Sequence, residues 1–204
     1  MNSKTHWEKI YAGRKTDELS WYRTHLEQSL ALIQATGAGR KAQIIDVGGG
    51  SSTLVDDLLA AGFRHVTVLD ISSAAIRDAR TRLGKRADEI TWLESDITRA
   101  SLPRQYYDVW HDRAVFHFLT GAEDRRHYVE TVNHAVKPGG HVIVATFGPH
   151  GPLQCSGLDI MRYTPEDLHR EFGANYRLVQ SITDDHVTPA GKHQEFIYCY
   201  CRRR

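Results

Sequence analysis

Cysteine is scarce in this chain: Cys155, Cys199 and Cys201 are the three among 204 residues. They are too few and too clustered for a disulfide framework, and Cys199 and Cys201 share a strand face at a spacing a bridge does not easily close. A reducing, cytoplasmic home is therefore expected. No apolar run approaches the roughly 18 residues that cross a bilayer. The start, Met1-Asn2-Ser3-Lys4-Thr5-His6-Trp7-Glu8, has no apolar leader core. Charge of one sign is lacking too: 26 Lys and Arg stand against 25 Asp and Glu. A nucleic-acid binder usually carries a basic stripe and none shows here, so neither nucleic acid nor membrane is expected as a partner. The closing Arg202-Arg203-Arg204 reads as a solvated tail. Cys and His have no metal-ligand spacing, so no metal is expected.

What the sequence does have is alternation. Gln43 to Val47 is a short apolar run that ends at Gly48-Gly49-Gly50. A helix follows from Ser51 to Ala61, with Leu54, Val55, Leu58 and Leu59 on one stripe and Gly62 as its stop. Further strands are expected at Val66–Asp70, Ile90–Glu94, Tyr107–His111 and His141–Phe147. Helices are expected over 73–83, capped by Ser72 or Ser73, and over 124–136, ended by Pro138-Gly139-Gly140. Strand–helix alternation with short connections argues for right-handed βαβ units in a parallel sheet. After a helix near 165–172 the pattern breaks. Tyr176–Thr183 and Gln194–Cys201 read as consecutive strands, a terminal antiparallel hairpin. A chain of this length suits one domain.

The loop Asp46-Val47-Gly48-Gly49-Gly50-Ser51-Ser52 carries the most chemistry. A strand that stops at glycines before a helix lets backbone pass close to a ligand and aims helix N–H groups at it. Asp70 ends the second strand, where a carboxylate can accept both hydroxyl protons of a ribose. Asp96, just past the third strand, is placed to meet an adenine amino group, with Ile97 beside the ring. Singly, each group has a second reading: the glycines as a tight turn, Asp70 or Asp96 as a helix cap or surface turn. Three successive strands that each end in the appropriate group argue for a nucleoside site. A dinucleotide loop wants a third glycine where Thr53 stands. Asp46 would repel a pyrophosphate but welcome the ammonium of a methionine tail.

These residues resemble, in order and spacing, the motifs of class I S-adenosylmethionine-dependent methyltransferases: Asp46-Val47-Gly48-Gly49-Gly50, Asp70, Ser95-Asp96-Ile97, Tyr107-Asp108-Val109 and Val136-Lys137-Pro138-Gly139-Gly140. One departure is Ser52, where many members carry another glycine. The resemblance implies a Rossmann-like α/β fold: a seven-stranded sheet, mostly parallel with a terminal antiparallel hairpin, and helices on both faces. It implies a helical lid over 1–40, a cofactor core over 43–147, and a substrate loop with the hairpin over 148–204. It also implies S-adenosyl-L-methionine as cofactor, S-adenosyl-L-homocysteine as product, and cofactor contacts from Trp21, Asp46, Gly48, Gly49, Gly50, Asp70, Ile71, Asp96, Ile97 and His111. The segments His6-Trp7-Glu8-Lys9-Ile10-Tyr11 and Ser20-Trp21-Tyr22 look like the aromatic N-terminal segment of elongation-factor lysine methyltransferases. Trp110-His111-Asp112-Arg113-Ala114 looks like a segment shared by those enzymes and the thiopurine methyltransferases, with Ala114 in place of their glycine.

On this reading the protein must hold a nucleophile in line and exclude water. Trp7, Tyr11, Trp21 and Tyr22 are candidates for a closing aromatic lid, with core covering as their other reading. His111, Asp112, His117 and His150 lie on expected strand ends or loops at the ligand edge, with His111 and Asp112 as candidate acid–base residues. Arg113, His150, Cys155 and Tyr163 are candidate substrate contacts. The expected acceptor is a small molecule; a protein lysine is the alternative. A cofactor-sensing module without turnover and an NAD-dependent oxidoreductase rank behind. The expected state is a monomer or homodimer.

Overall fold

The computed structural model describes residues 3–204; Met1 and Asn2 of the expected lid lie outside the described residues. In chain order the elements are α1 (Ser3–Gly13), α2 (Glu27–Ala35), β1 (Gln43–Val47), α3 (Leu54–Ala60), β2 (His65–Asp70), α4 (Ser73–Leu83) and β3 (Ile90–Glu94). There follow β4 (Tyr107–Arg113), α5 (Ala122–Ala135), β5 (Val136–Phe147), the short pair β6 (Gln154–Cys155) and β7 (Leu158–Asp159), α6 (Pro165–Phe172), β8 (Tyr176–Val187) and β9 (His193–Arg203). Seven strands form one Rossmann-like sheet in the order β3-β2-β1-β4-β5-β9-β8. β9 alone among them runs antiparallel, pairing with β5 on one side and β8 on the other. The expected sheet and its closing hairpin are both present.

Strand parity sorts the side chains into two cores. Ile44, Val109, Ile143, Phe196 and Tyr198 face one layer, under α2 and α3. Ile45, Trp110, Val142, Ile197 and Cys199 face the other, under α5 and α6. In that second layer the Trp110 and Tyr128 rings meet edge to face at 5.8 Å, and the indole N–H donates to the phenol oxygen at 2.9 Å. Such a pair adds about 0.5–1.5 kcal/mol beyond the area it buries. α4 is capped by Ser72, whose hydroxyl accepts the Ala75 N–H; α6 is capped by Thr164, with Pro165 as its first residue.

Several boundaries differ from expectation: β4 runs on to Arg113, β8 to Val187 and β9 to Arg203, so two arginines of the expected tail belong to the sheet, and two further shifts have a visible cause. α3 starts at Leu54, three residues late, because the glycine loop is held open by bonds described below. β5 starts at Val136, before Pro138-Gly139-Gly140, since Val136 already pairs with Tyr107; the Pro-Gly-Gly run is an irregularity between that pair and Val109–His141. Cys155, Cys199 and Cys201 are free and buried. Among the described residues no helix is long and apolar enough to cross a membrane, and no group of three His, Cys, Asp or Glu could hold a metal ion.

Candidate functional site

Strand order reverses between β1 and β4, so the loops leaving their carboxyl ends diverge and open a crevice. The β1 loop is shaped by its glycines. Gly48 has φ +71°, and a Cβ there would lie 2.1 Å from Val115 Cγ2. Its N–H donates to the Leu69 carbonyl at 2.7 Å, which ties the loop to β2. The Gly50 N–H donates to Asp70 Oδ2 at 2.9 Å, and a Cβ on Gly50 would meet that oxygen at 2.6 Å. The loop therefore turns the Gly50 N–H onto the carboxylate that ends β2, not outward to a ligand as expected.

Asp70 is 4% exposed and accepts a second backbone bond, from Ser72 N–H to Oδ1, at 2.8 Å. Each oxygen keeps a lone pair for a further donor. Burial pushes its carboxyl up to about 6, against the two N–H bonds that favour the anion.

A cleft of about 800 Å³ runs along these strand ends, within the size of small-molecule sites. Trp21, Gly48, Asp70, Ile71, Asp96 and Ile97 line it. Asp96 makes its hydrogen bonds through Oδ1, to the Thr98 N–H and hydroxyl at 2.9 and 2.8 Å. A recess of about 30 Å³ adjoins the cleft across Trp21, Gly48 and Arg113, and Asp46, His111 and Tyr22 line it. Gly49 and Gly50 line neither space. Asp46 is buried; its Oδ1 bonds His111 Nδ1 at 2.7 Å, and its Oδ2 has no partner.

Trp7, Tyr11, Arg113 and Cys155 also line the cleft. The Trp7 ring lies 5.1 Å from Phe118 and 5.8 Å from Trp21, and Tyr11 lies 6.2 Å from Trp21, so α1 brings its aromatics onto one cluster at the cleft. Helix α1 is latched by Glu8, whose carboxylate accepts the Ser73 and Ala74 N–H groups at 2.6 and 3.3 Å, at the positive start of α4. Burial pushes the Cys155 thiol up to about 11, which keeps it protonated at neutral pH.

Four expected positions are corrected. Asp112 lies on the opposite face from His111, as consecutive strand residues must. It is fully buried and accepts the Val115 N–H at 2.9 Å, the Phe116 N–H at 3.1 Å and the Tyr128 hydroxyl at 2.6 Å. Its carboxyl is pushed up to about 6 by burial, and its bonds hold a turn, away from the cleft. His117 is also fully buried; burial and the nearby Arg113 charge push it down to about 3, so the ring is neutral. His150 is exposed and lines neither space, although its backbone N–H holds Glu195 Oε1 at 2.9 Å. Tyr163 packs against Phe116 at 5.7 Å in the α5–α6 core.

The structure adds residues that sequence reasoning passed over. His6, Phe118, Asp124 and Leu158 line the cleft. Phe118 follows the expected fourth strand closely, which was a usable signal. Ser29 and Tyr198 bond around His111 and Arg113 from distant elements, and nothing local marks them.

Residues 45–142 match the family model described as a methyltransferase domain. The eEF1A lysine and N-terminal methyltransferase of Mus musculus is 28% identical over 113 residues, 55% of this chain and 16% of that protein; the chain thus spans about a sixth of that relative's length. EEF1A lysine methyltransferase 2 of Homo sapiens is 19% identical over 196 residues, 89% of this chain and 77% of that protein. The N-methyltransferase NodS of Bradyrhizobium japonicum, solved with S-adenosyl-L-homocysteine, shares the fold at a TM-score of 0.76 and 17% identity, covering 100% of this chain and 99% of its own. The matched segment supplies most of β1, all of β2 to β4 and the first half of β5, the strands whose carboxyl ends line the cleft, so this part of the chain is a methyltransferase domain of the class I, S-adenosylmethionine-dependent type.

Proposed function

We propose that this chain binds S-adenosyl-L-methionine in the cleft and transfers its methyl group to a nucleophile on a small molecule held between α1 and the β6–β7 hairpin. The residues suit the cofactor: the unpartnered, buried Asp46 Oδ2 suits a cation, and the two spare lone pairs of Asp70 suit vicinal hydroxyls. Asp96 has Oδ2 left for an adenine amino group, with Ile71 and Ile97 against the ring. When bound, the cofactor supplies an already activated methyl, so the chain has to orient the acceptor and exclude water. Trp7, Tyr11, Trp21 and Phe118 serve that end, and their π faces favour a sulfonium over water.

The observation that carries the small-molecule reading is the latched α1, which lays Trp7 and Tyr11 along one wall of a cleft of small-molecule size. NodS, similar over the whole chain, is named for N-methyl transfer. A protein lysine is the second reading. Two elongation-factor methyltransferases are among the sequence relatives, and Asp124 and Asp159 at the cleft would draw an ammonium. Incubation with methyl-labelled cofactor and a cell extract, followed by size separation, decides between them. Label is expected in the low-mass fraction; label confined to protein would refute the small-molecule proposal.

A further inference from the structure

We infer that a one-directional hydrogen-bond wire through His111, Ser29 and Tyr198 joins Asp46 to Arg113, and presets those two side chains as the clamp for the α-amino-acid end of the ligand. The inference rests on the cofactor reading above. It assigns roles to Ser29 and Tyr198, which lie outside the motifs named above, moves Arg113 from acceptor contact to cofactor contact, and removes His111 from the list of free bases.

Strand register builds the wire. Asp46 pairs with His111 across β1 and β4, and Arg113 follows two residues later on the same face. Ala145 of β5 pairs with Arg113 on one side and Tyr198 on the other. The small alanine lets the guanidinium reach over it to the phenol. Ser29, on α2, closes the layer from above. Asp46, His111, Ser29 and Tyr198 are all at most 2% exposed, so water does not complete their bonding. The links are Asp46 Oδ1 to His111 Nδ1 at 2.7 Å, His111 Nε2 to Ser29 Oγ at 2.9 Å, Ser29 Oγ to Tyr198 Oη at 3.4 Å, the longest, and Arg113 Nε to Tyr198 Oη at 3.2 Å.

The ends dictate the direction. A guanidinium only donates and a carboxylate only accepts. Arg113 Nε–H therefore donates to Tyr198, whose O–H passes to Ser29; the Ser29 O–H passes to His111 Nε2, and Nδ1–H to Asp46. In the opposite arrangement, with a proton on Nε2, Ser29 donates to Tyr198 and the phenol hydrogen is left without an acceptor. The forward run is the one in which every hydrogen is bonded, and it fixes His111 as the Nδ1–H tautomer with its other nitrogen occupied.

One valence stays open at each end. Asp46 Oδ2 and Arg113 Nη2 are buried and unpartnered, and both residues line the recess that opens on the cleft at Gly48 and Trp21. One free acceptor and one free charged donor complement an ammonium and a carboxylate. Arg23 lines the same recess, but its guanidinium is taken by His186 Nδ1 and Asp184 Oδ2, each at 2.9 Å. Arg113 is further fixed by its bond to the Trp21 carbonyl at 3.0 Å and its seat 4.3 Å over the Phe196 ring.

The test compares two ligands by calorimetry on the full chain: S-adenosyl-L-homocysteine, and 5′-methylthioadenosine, which lacks the amino-acid end. Tyr198→Phe and Ser29→Ala each cut the wire with little change of shape. Each is expected to weaken S-adenosyl-L-homocysteine about tenfold and to leave methylthioadenosine within about twofold of wild type. Nitrogen NMR of the unaltered protein is expected to show His111 protonated on Nδ1 alone, a readout that needs no variant to fold. Equal weakening of both ligands, no weakening of either, or a His111 proton on Nε2 overturns the wire. Failure of the wild-type chain to bind either ligand instead sinks the cofactor reading itself.

Discussion

Acidification from pH 7 to 5 tests the burial of Asp70 directly. Its carboxyl titrates near 6 because it is buried, even though Gly50 and Ser72 each donate a backbone N–H to it. A vicinal diol donates two hydrogens and so binds the anion; protonation turns one of the two oxygens from acceptor into donor. The affinity then scales with the ionised fraction. Between pH 7 and 5, for a group titrating near 6, that fraction falls about tenfold, or about 1.4 kcal/mol. The sign for folding is opposite. An acid whose titration point is raised in the folded state holds more protons than the unfolded chain between about pH 4 and 6. Its burial therefore costs stability as pH rises through that window and costs nothing below it. Lost affinity at pH 5 is thus not a symptom of Asp70 unfolding the protein. The assay is calorimetric titration with S-adenosyl-L-homocysteine across this range, beside Asp70→Asn. The wild type is expected to lose about tenfold and the variant to bind weakly with a flat profile. A wild-type affinity constant from pH 7 to 5, or the same slope in Asp70→Asn, would refute the assignment.

Two further substitutions separate scaffold from site. Asp112→Ala leaves the Val115 and Phe116 N–H groups and the Tyr128 hydroxyl without their acceptor inside the core. It is expected to cost roughly 3 kcal/mol, lowering the melting temperature by about 6–12 °C while ligand affinity of the folded fraction holds; a melting point unchanged by calorimetry contradicts the structural role. Gly48→Ala forces a side chain into φ +71° and drives its methyl against Val115 Cγ2. The backbone strain alone is about 1–2 kcal/mol. Binding of S-adenosyl-L-homocysteine is expected to fall at least tenfold, with partial recovery in Gly48→Ala/Val115→Ala; full binding by the single variant would show that the loop conformation is not required.

The sheet was readable because each strand carries an apolar run of the right length, bounded by turn residues, and because Tyr176–Thr183 and Gln194–Cys201 follow one another with no helix between. The late start of α3 and the early start of β5 share a cause. Ser51 and Ser52 have the chemistry of a helix cap, yet Gly50 is bound by Asp70 twenty residues away, so the helix starts only at Leu54. Pro138-Gly139-Gly140 looks like a helix stop, yet α5 already ends at Ala135 and the strand begins ahead of the run because Val136 pairs with Tyr107. In both places a tertiary contact overrides a local signal.

The same division runs through the site. Asp46, Asp70 and Asp96 lie at or just past the carboxyl ends of three neighbouring strands, so their gathering along one edge follows from topology that the sequence already spells out. The placing of Asp112 was legible too, and was missed. Parity along β4 puts His111 and Arg113 on one face and Trp110 and Asp112 on the other, and Trp110 is an obvious core residue. A histidine and an aspartate side by side suggest acid–base chemistry only where both can reach the same space; in an extended strand neighbours never do. Ser29 and Tyr198 stand apart from this. They meet across 169 residues, and Ser29 meets His111 across 82. Neither residue type on a helix or strand is informative alone. What selects them is the need to complete the bonds of a buried carboxylate and a buried guanidinium, a condition that exists only once the sheet has closed.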